Sequence, residues 1–524
     1  MIYKRILAVS FAAALALFHG SASTLRAADD ASTPASPTVV VKQTFVCKTD
    51  GMNEKTLTIS NNCKRVAFLV TGAESHKTKV IVDGRESKEY PGFVVAPCFS
   101  PDSKHVVYTV LRGTVVLDGV EGKAYGTVGH PIFSPDSAHV AYSASGNGRF
   151  IVVDGKEYNN PCYRMGGMEW SPGSNAVIYY DSRRENDGSL EDPLVVVNGT
   201  VQKGVVRLCY SPNGKKIAYV TRLPGEKVNI GGETFTTQGD IAFTIDGVAD
   251  AAYKEIREVV WSADSSRVVY AAQIIGPIGG QKWCVISRKV GAKGEADQGY
   301  ENVGNIALSP DGKSIAYVVV KGVGEQTVAL NGTLGKSHAV IEKGPFFSPD
   351  SKRCFYVARD GEKRAIVADN AESNAYDAVN AMIISPDSTR LASIMKMDNK
   401  QMVVVEGKEE ARYDSVWYLA FSPDSKRVAY AAKKGNKWMS VIDGENGAEY
   451  EQIQGLAFSP DSKHVAFIAQ KGNRWVNVID GIESGDYSGN LNAARIVWDT
   501  PTRCHTLVRK DNKILLVECE IKAP

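Results

Sequence analysis

Residues 421–444 read FSPDSKRVAYAAKKGNKWMSVIDG, and residues 458–481 say nearly the same again, FSPDSKHVAFIAQKGNRWVNVIDG. Each copy divides into the same parts. Ser-Pro-Asp-Ser suits a type I turn, because proline presets φ and the Ser and Asp side chains bond nearby amides. The run after it, KRVAYAA, is short and β-rich, with Val428 and Tyr430 pointing one way and Ala429 and Ala431 the other. A second run, KWMSVIDG, closes on Asp-Gly, the signature of a tight hairpin turn. A third run follows with a recurring tyrosine, as at Tyr90, Tyr125 and Tyr450. Counting the LAF that precedes the serine, one unit is four short strands.

The unit recurs along the chain. Aligned on the serine, it returns at Ser100, Ser134, Ser171, Ser211, Ser262, Ser309, Ser348, Ser385, Ser422 and Ser459. Degenerate copies stand at Ser60 and, with Asp499 in place of the serine, at the C-terminal end. The steps are 40, 34, 37, 40, 51, 47, 39, 37, 37, 37 and 40 residues, which makes twelve units. Four antiparallel strands every ~40 residues is the period of β-propeller blades. A large face opposite a small face suits sheets covered on both sides. The expectation is an all-β fold of twelve four-stranded blades.

Propellers usually hold about four to eight blades, so twelve units favour two tandem six-bladed rings. The irregular stretch 287–304 sets the boundary, giving residues 48–303 and 304–524 as the two rings. One large closed ring is the alternative. Residues 38–47 form a spare strand expected to complete the last blade, bringing Cys47 towards Cys519.

The repeated phrase resembles the TolB-type, WD-repeat-like propeller repeats of exported bacterial proteins, over nearly all of the chain beyond its leader. That resemblance implies the propeller fold. It leaves the activity open, because propellers host unrelated functions. The resemblance also implies an alternative, because related propellers include lyases and peptidase-associated domains: a propeller enzyme such as a polysaccharide lyase or hydrolase.

Residues 1–23 have a secretory signal layout: Lys4 and Arg5, an apolar run to Phe18, then small residues. The apolar run is ~13 residues against the ~20 a membrane-spanning helix needs. Residues 24–37 are polar and Pro-rich, a disordered leader. The expected location is periplasmic or secreted, with no membrane insertion once the signal is removed. The chain carries 61 basic and 59 acidic residues, and losing Lys4 and Arg5 leaves 59 of each. A balanced chain has no electrostatic footprint for nucleic acid.

No nucleophile elbow, HExxH or phosphate loop is present, and no catalytic residue, cofactor or metal is expected. His105, His139 and His464 share one repeat position with Arg353, Arg390 and Arg427, which reads as a solvated strand site. The repeated aspartates, Asp102 to Asp461, read as turn residues. Trp170, Trp261 and Trp498 replace the Phe of FSP and read as core. Three long loops, 181–193, 222–240 and 273–282, decorate one rim, where binding function commonly sits. Trp283, Trp438 and Trp475 start third strands near that rim and are the candidate binding residues; packing on the next blade is the competing role. The expected function is a non-enzymatic scaffold that binds a protein or envelope component.

Overall fold

The computed structural model describes residues 38–522, apart from 73–76, 111–112, 160–164, 175, 182–193, 198–199, 203, 226, 231–232, 237–238, 276–279 and 492–494. The signal and leader read from residues 1–37 lie outside these, as does nearly all of the loop 181–193. The described chain is all-β apart from one short 3-10 turn, Glu54–Thr56. Its strands make twelve antiparallel sheets of four or five strands and one separate two-stranded hairpin. The sheets are numbered here 1 to 12 in chain order.

Sheet 10 shows the plan: Ser415–Phe421, Val428–Lys434, Lys437–Ile442 and Glu445–Tyr450, paired in that order. The Ser-Pro-Asp-Ser corner joins its first two strands. Ser422 donates from Oγ to Asp424 Oδ1 at 2.6 Å and accepts the Arg427 amide at 2.9 Å. The corner ends on Ser425 with φ +68°, and the Asp-Gly turn has φ of +53° and +85°, the left-handed pair a type I′ turn requires. Asp443 also accepts the Val428 amide at 2.9 Å, fastening the two turns at the same end.

Side chains sort between the faces as their alternation dictates. Val428 and Tyr430 enter the cluster shared with sheet 9, while Ala429 and Ala431 enter the cluster shared with sheet 11. Every pair of consecutive sheets shares such a cluster, from sheets 1 and 2 (Leu69, Tyr108) to sheets 11 and 12 (Ile468, Val517). First strands of neighbouring sheets lie against one another, as Glu255–Trp261 and Asn302–Leu308 do. Fourth strands instead meet the second strand of the next sheet. The sheets therefore fan like blades from their first strands.

The corner serine also links sheets. Ser103, Ser137, Ser388, Ser425 and Ser462 are buried and Ser351 is half-buried, and each Oγ accepts a backbone amide from the preceding sheet at 2.9–3.0 Å. The shared His/Arg position is partly solvent-exposed and also makes specific contacts. His105, His139 and His464 bond Asp118, Asp154 and Asp480 of their own Asp-Gly turns at 2.5–2.6 Å. His139 and His464 then stack on Trp170 and Trp498 of the next sheet, and Arg390 and Arg427 lie over Phe421 and Phe458. A flat, cationic-capable group that bonds an aspartate and covers a ring fits here, and both His and Arg supply one.

Two junctions connect sheets that the expected division places in different rings. Sheets 6 and 7, astride residue 304, share a cluster of Trp283, Val303 and Tyr317, and Arg267 Nη1 donates to the Gly312 carbonyl at 3.0 Å. Sheet 12 packs on sheet 1 through Leu507, Ile514, Val66 and Phe68. His505, almost fully buried, bonds Asp499 at 2.6 Å and the Asn62 carbonyl at 2.7 Å. The proposed boundary is thus bridged like any other junction, and the last sheet meets the first.

Thr38–Lys48 is the outer strand of sheet 12, antiparallel to Lys513–Lys522. Its register corrects the cysteine expectation. Cys47 faces Ile514, and Cys519 faces Val41, so the two thiols lie five rungs apart.

Candidate functional site

The first strand of each sheet is its free inner edge, and in sheets 4 to 11 that strand carries an irregularity partway along. In sheet 10 the register slips between Trp417 and Ala420, so one extra residue is fitted against the second strand. The slip turns the backbone left-handed at Glu258 (φ +51°), Asn305 (φ +41°), Gly344 (φ +87°), Tyr418 (φ +58°) and Gly455 (φ +66°), five equivalent positions. Glycine and asparagine tolerate that conformation; tyrosine is an outlier there. Strain of this kind, about 1–3 kcal/mol, concentrates where a side chain must be aimed.

At Tyr418 the result is an exposed aromatic ledge. Trp417 is 48% exposed and Tyr418 41%, unusual for rings of their size on an otherwise packed sheet. Trp417 lies over Trp438 with centroids 4.5 Å apart, and Tyr418 stands perpendicular to Trp417 at 6.4 Å. Trp438 is opposite Lys433, near the turn that joins the second and third strands. The ledge therefore sits at the rim of the long loops, at the inner end of the blade.

The three tryptophans singled out from sequence fall in different places. Trp283 and Trp438 are buried at 5% and 6% exposure, within the clusters shared with the next sheets, and Trp475 is half-buried against sheet 12. Arg257 covers the Trp283 ring at 4.5 Å, as Trp417 covers Trp438. In sheets 7 and 9 the matching residues are Gln326 and Gln401, which bond the Ile341 and Val416 amides of the next sheet. The position joins neighbouring sheets. Of the three, only Trp438 reaches the ledge, as its floor. Trp417 and Tyr418 were missed; the signal was a bulky aromatic pair where the units at 305, 344 and 455 carry Asn, Gly and Gly.

The long loops are only partly described. Residues 222–240 hold the separate hairpin Lys227–Ile230 and Glu233–Thr236, and 273–282 continues as paired strand at both ends. Two cavities, of about 550 and 630 Å³, flank sheet 1. Both are lined by Glu86 of the two-residue outer strand Arg85–Glu86. Among the described residues no three His, Cys, Asp or Glu side chains gather as a metal site.

No family model matches the chain, and no curated protein does. Among solved structures it is similar to one titled "Crystal structure of the eukaryotic initiation factor", at 13% identity and TM-score 0.33, covering 67% of this chain and 96% of that one. "Structure of Dos1 propeller" matches at 10% identity and TM-score 0.27, over 60% and 92% of the two chains. "KlHsv2 with loop 6CD replaced by a Gly-Ser linker" matches at 12% and 0.24, over 49% and 89%. Likeness this distant carries no function across.

Proposed function

We propose that the chain is an exported, non-enzymatic scaffold, closed as a single twelve-bladed propeller, that binds a protein or envelope component at its looped rim. The observation that carries the binding role is the Trp417–Tyr418 ledge, two exposed rings held out by a left-handed residue at 418. Exposed aromatic residues on a rigid sheet offer contact area at little entropic cost, the property of interface hot spots. Closure as one ring is supported by the contacts from sheet 12 to sheet 1 and from sheet 6 to sheet 7. Export is supported by the layout of residues 1–23, and the even charge balance suits a partner recognised by shape.

The ledge is tested by Trp417→Ala and Tyr418→Gly in an affinity capture from envelope extract, beside deletion of 222–240. The expected outcome is at least tenfold weaker capture for both substitutions, with the thermal midpoint of Tyr418→Gly unchanged or raised. Equal capture by all three variants refutes the site.

A further inference from the structure

The eight described cysteines carry free thiols, and the strand register brings two of them face to face. Cys504 and Cys519 are directly opposite on Arg503–Lys510 and Lys513–Lys522, the hairpin that forms the middle of sheet 12. The Ile521 amide donates to the Thr502 carbonyl at 2.9 Å, and hydrogen-bonded rungs alternate, so 504 and 519, two residues on, form another such rung. Opposed residues at a hydrogen-bonded rung have Cα atoms ~5.5 Å apart, inside the ~4.4–6.8 Å that a disulfide spans. Both side chains point to the same face, each 3% exposed, in the cluster between sheets 11 and 12.

From this placement we infer that Cys504 and Cys519 are a disulfide-forming pair that staples the closing sheet of the fold. The surroundings favour reaction at Cys519. Its thiol is held below the ordinary range by the neighbouring Cys504, while the Cys519 thiol and burial push Cys504 up. Elsewhere burial, with Asp83 or Asp369 adding to it, pushes Cys47 and Cys354 up to about 12, leaving those thiols inert.

The oxidant is a low-molecular-weight disulfide. As the hairpin forms, before sheet 11 covers it, the Cys519 thiolate attacks one sulfur of the oxidant and releases one thiolate. Cys504 gives its proton to that thiolate and attacks the Cys519 sulfur. The second thiolate leaves and takes a proton from solvent, so two protein thiols become one disulfide and the oxidant becomes two thiols.

The test is refolding of the full chain with oxidised and reduced glutathione, followed by alkylation in denaturant and peptide mass spectrometry. The expected result is a loss of two alkylatable thiols per chain, recovered as a linked 504–519 peptide pair. Cys47→Ser leaves that link intact, whereas Cys519→Ser abolishes it and restores alkylation at Cys504. Full alkylation of both cysteines after oxidation overturns the pairing, as does a link from Cys519 to any other cysteine.

Discussion

At the scale of single residues, the repeated corner works because each side chain satisfies a buried backbone group. Ser425 is almost fully buried, holds φ at +68° and accepts the Asp387 amide of the previous sheet at 2.9 Å. Ser425→Ala leaves that amide unpaired, at about 1–3 kcal/mol, and keeps a side chain in the left-handed region. Ser425→Gly loses the same bond but relaxes the backbone, the choice the chain makes at Gly214 (φ +65°) and Gly312 (φ +70°). The urea midpoint is expected to fall further for Ala than for Gly. The corner aspartates add a pH dependence. Asp387 is held down at about 2 by its hydrogen bonds from Ser385 and Thr389, and Asp102 and Asp264 are held there likewise. The folded chain thus binds fewer protons than the unfolded one below pH 3.8, and stability is lost as pH falls from about 4 to about 2. Tryptophan fluorescence during acid titration reads this loss. Asp387→Asn, which copies the native Asn213 corner and its bonds to Ser211 and Lys215, removes that site's share of it.

At the scale of strands and turns, most of what the sequence shows is local. The type I′ turns, the alternation of Val428 and Tyr430 against Ala429 and Ala431, and the buried Tyr450 all follow from spacing of a few residues. What stayed hidden needed register across long separations. The bulge that lifts Trp417 depends on its pairing with the second strand, and the Cys504–Cys519 rung depends on a hairpin whose frame one residue's slip would reverse. The same holds for the outer strand Thr38–Lys48. Its residues Val39 and Val41 pack on the cluster between sheets 11 and 12. Without it, Lys513–Lys522 becomes an open, apolar edge, which invites strand addition by other chains. Deleting 38–48 is therefore expected to lower the thermal midpoint and to produce aggregates in size-exclusion chromatography, with monomer recovered at low concentration.

At the scale of the whole molecule, blade number is the property the repeat does not encode. A unit specifies how it packs on its neighbours, and the same two faces serve a ring of any size. Nothing local separates six blades from twelve. Contacts at two junctions bear on it: sheet 7 packs Val319 and Tyr317 on sheet 6, and sheet 12 packs Leu507 and Ile514 on sheet 1. In two separate rings those faces would meet each other across the second ring. Residues 304–524 taken alone therefore present two unpaired apolar sheet faces, and each sheet is too small to stand with one face bare. Expressed by itself, this half is expected to be insoluble or to lack a cooperative thermal transition. The full chain carrying His505→Ala, which breaks the bonds to Asp499 and Asn62, is expected to unfold at a lower midpoint. A soluble 304–524 fragment melting in one sharp transition would instead favour the two-ring reading, and it would leave the sheet 12 to sheet 1 contacts as a junction between rings.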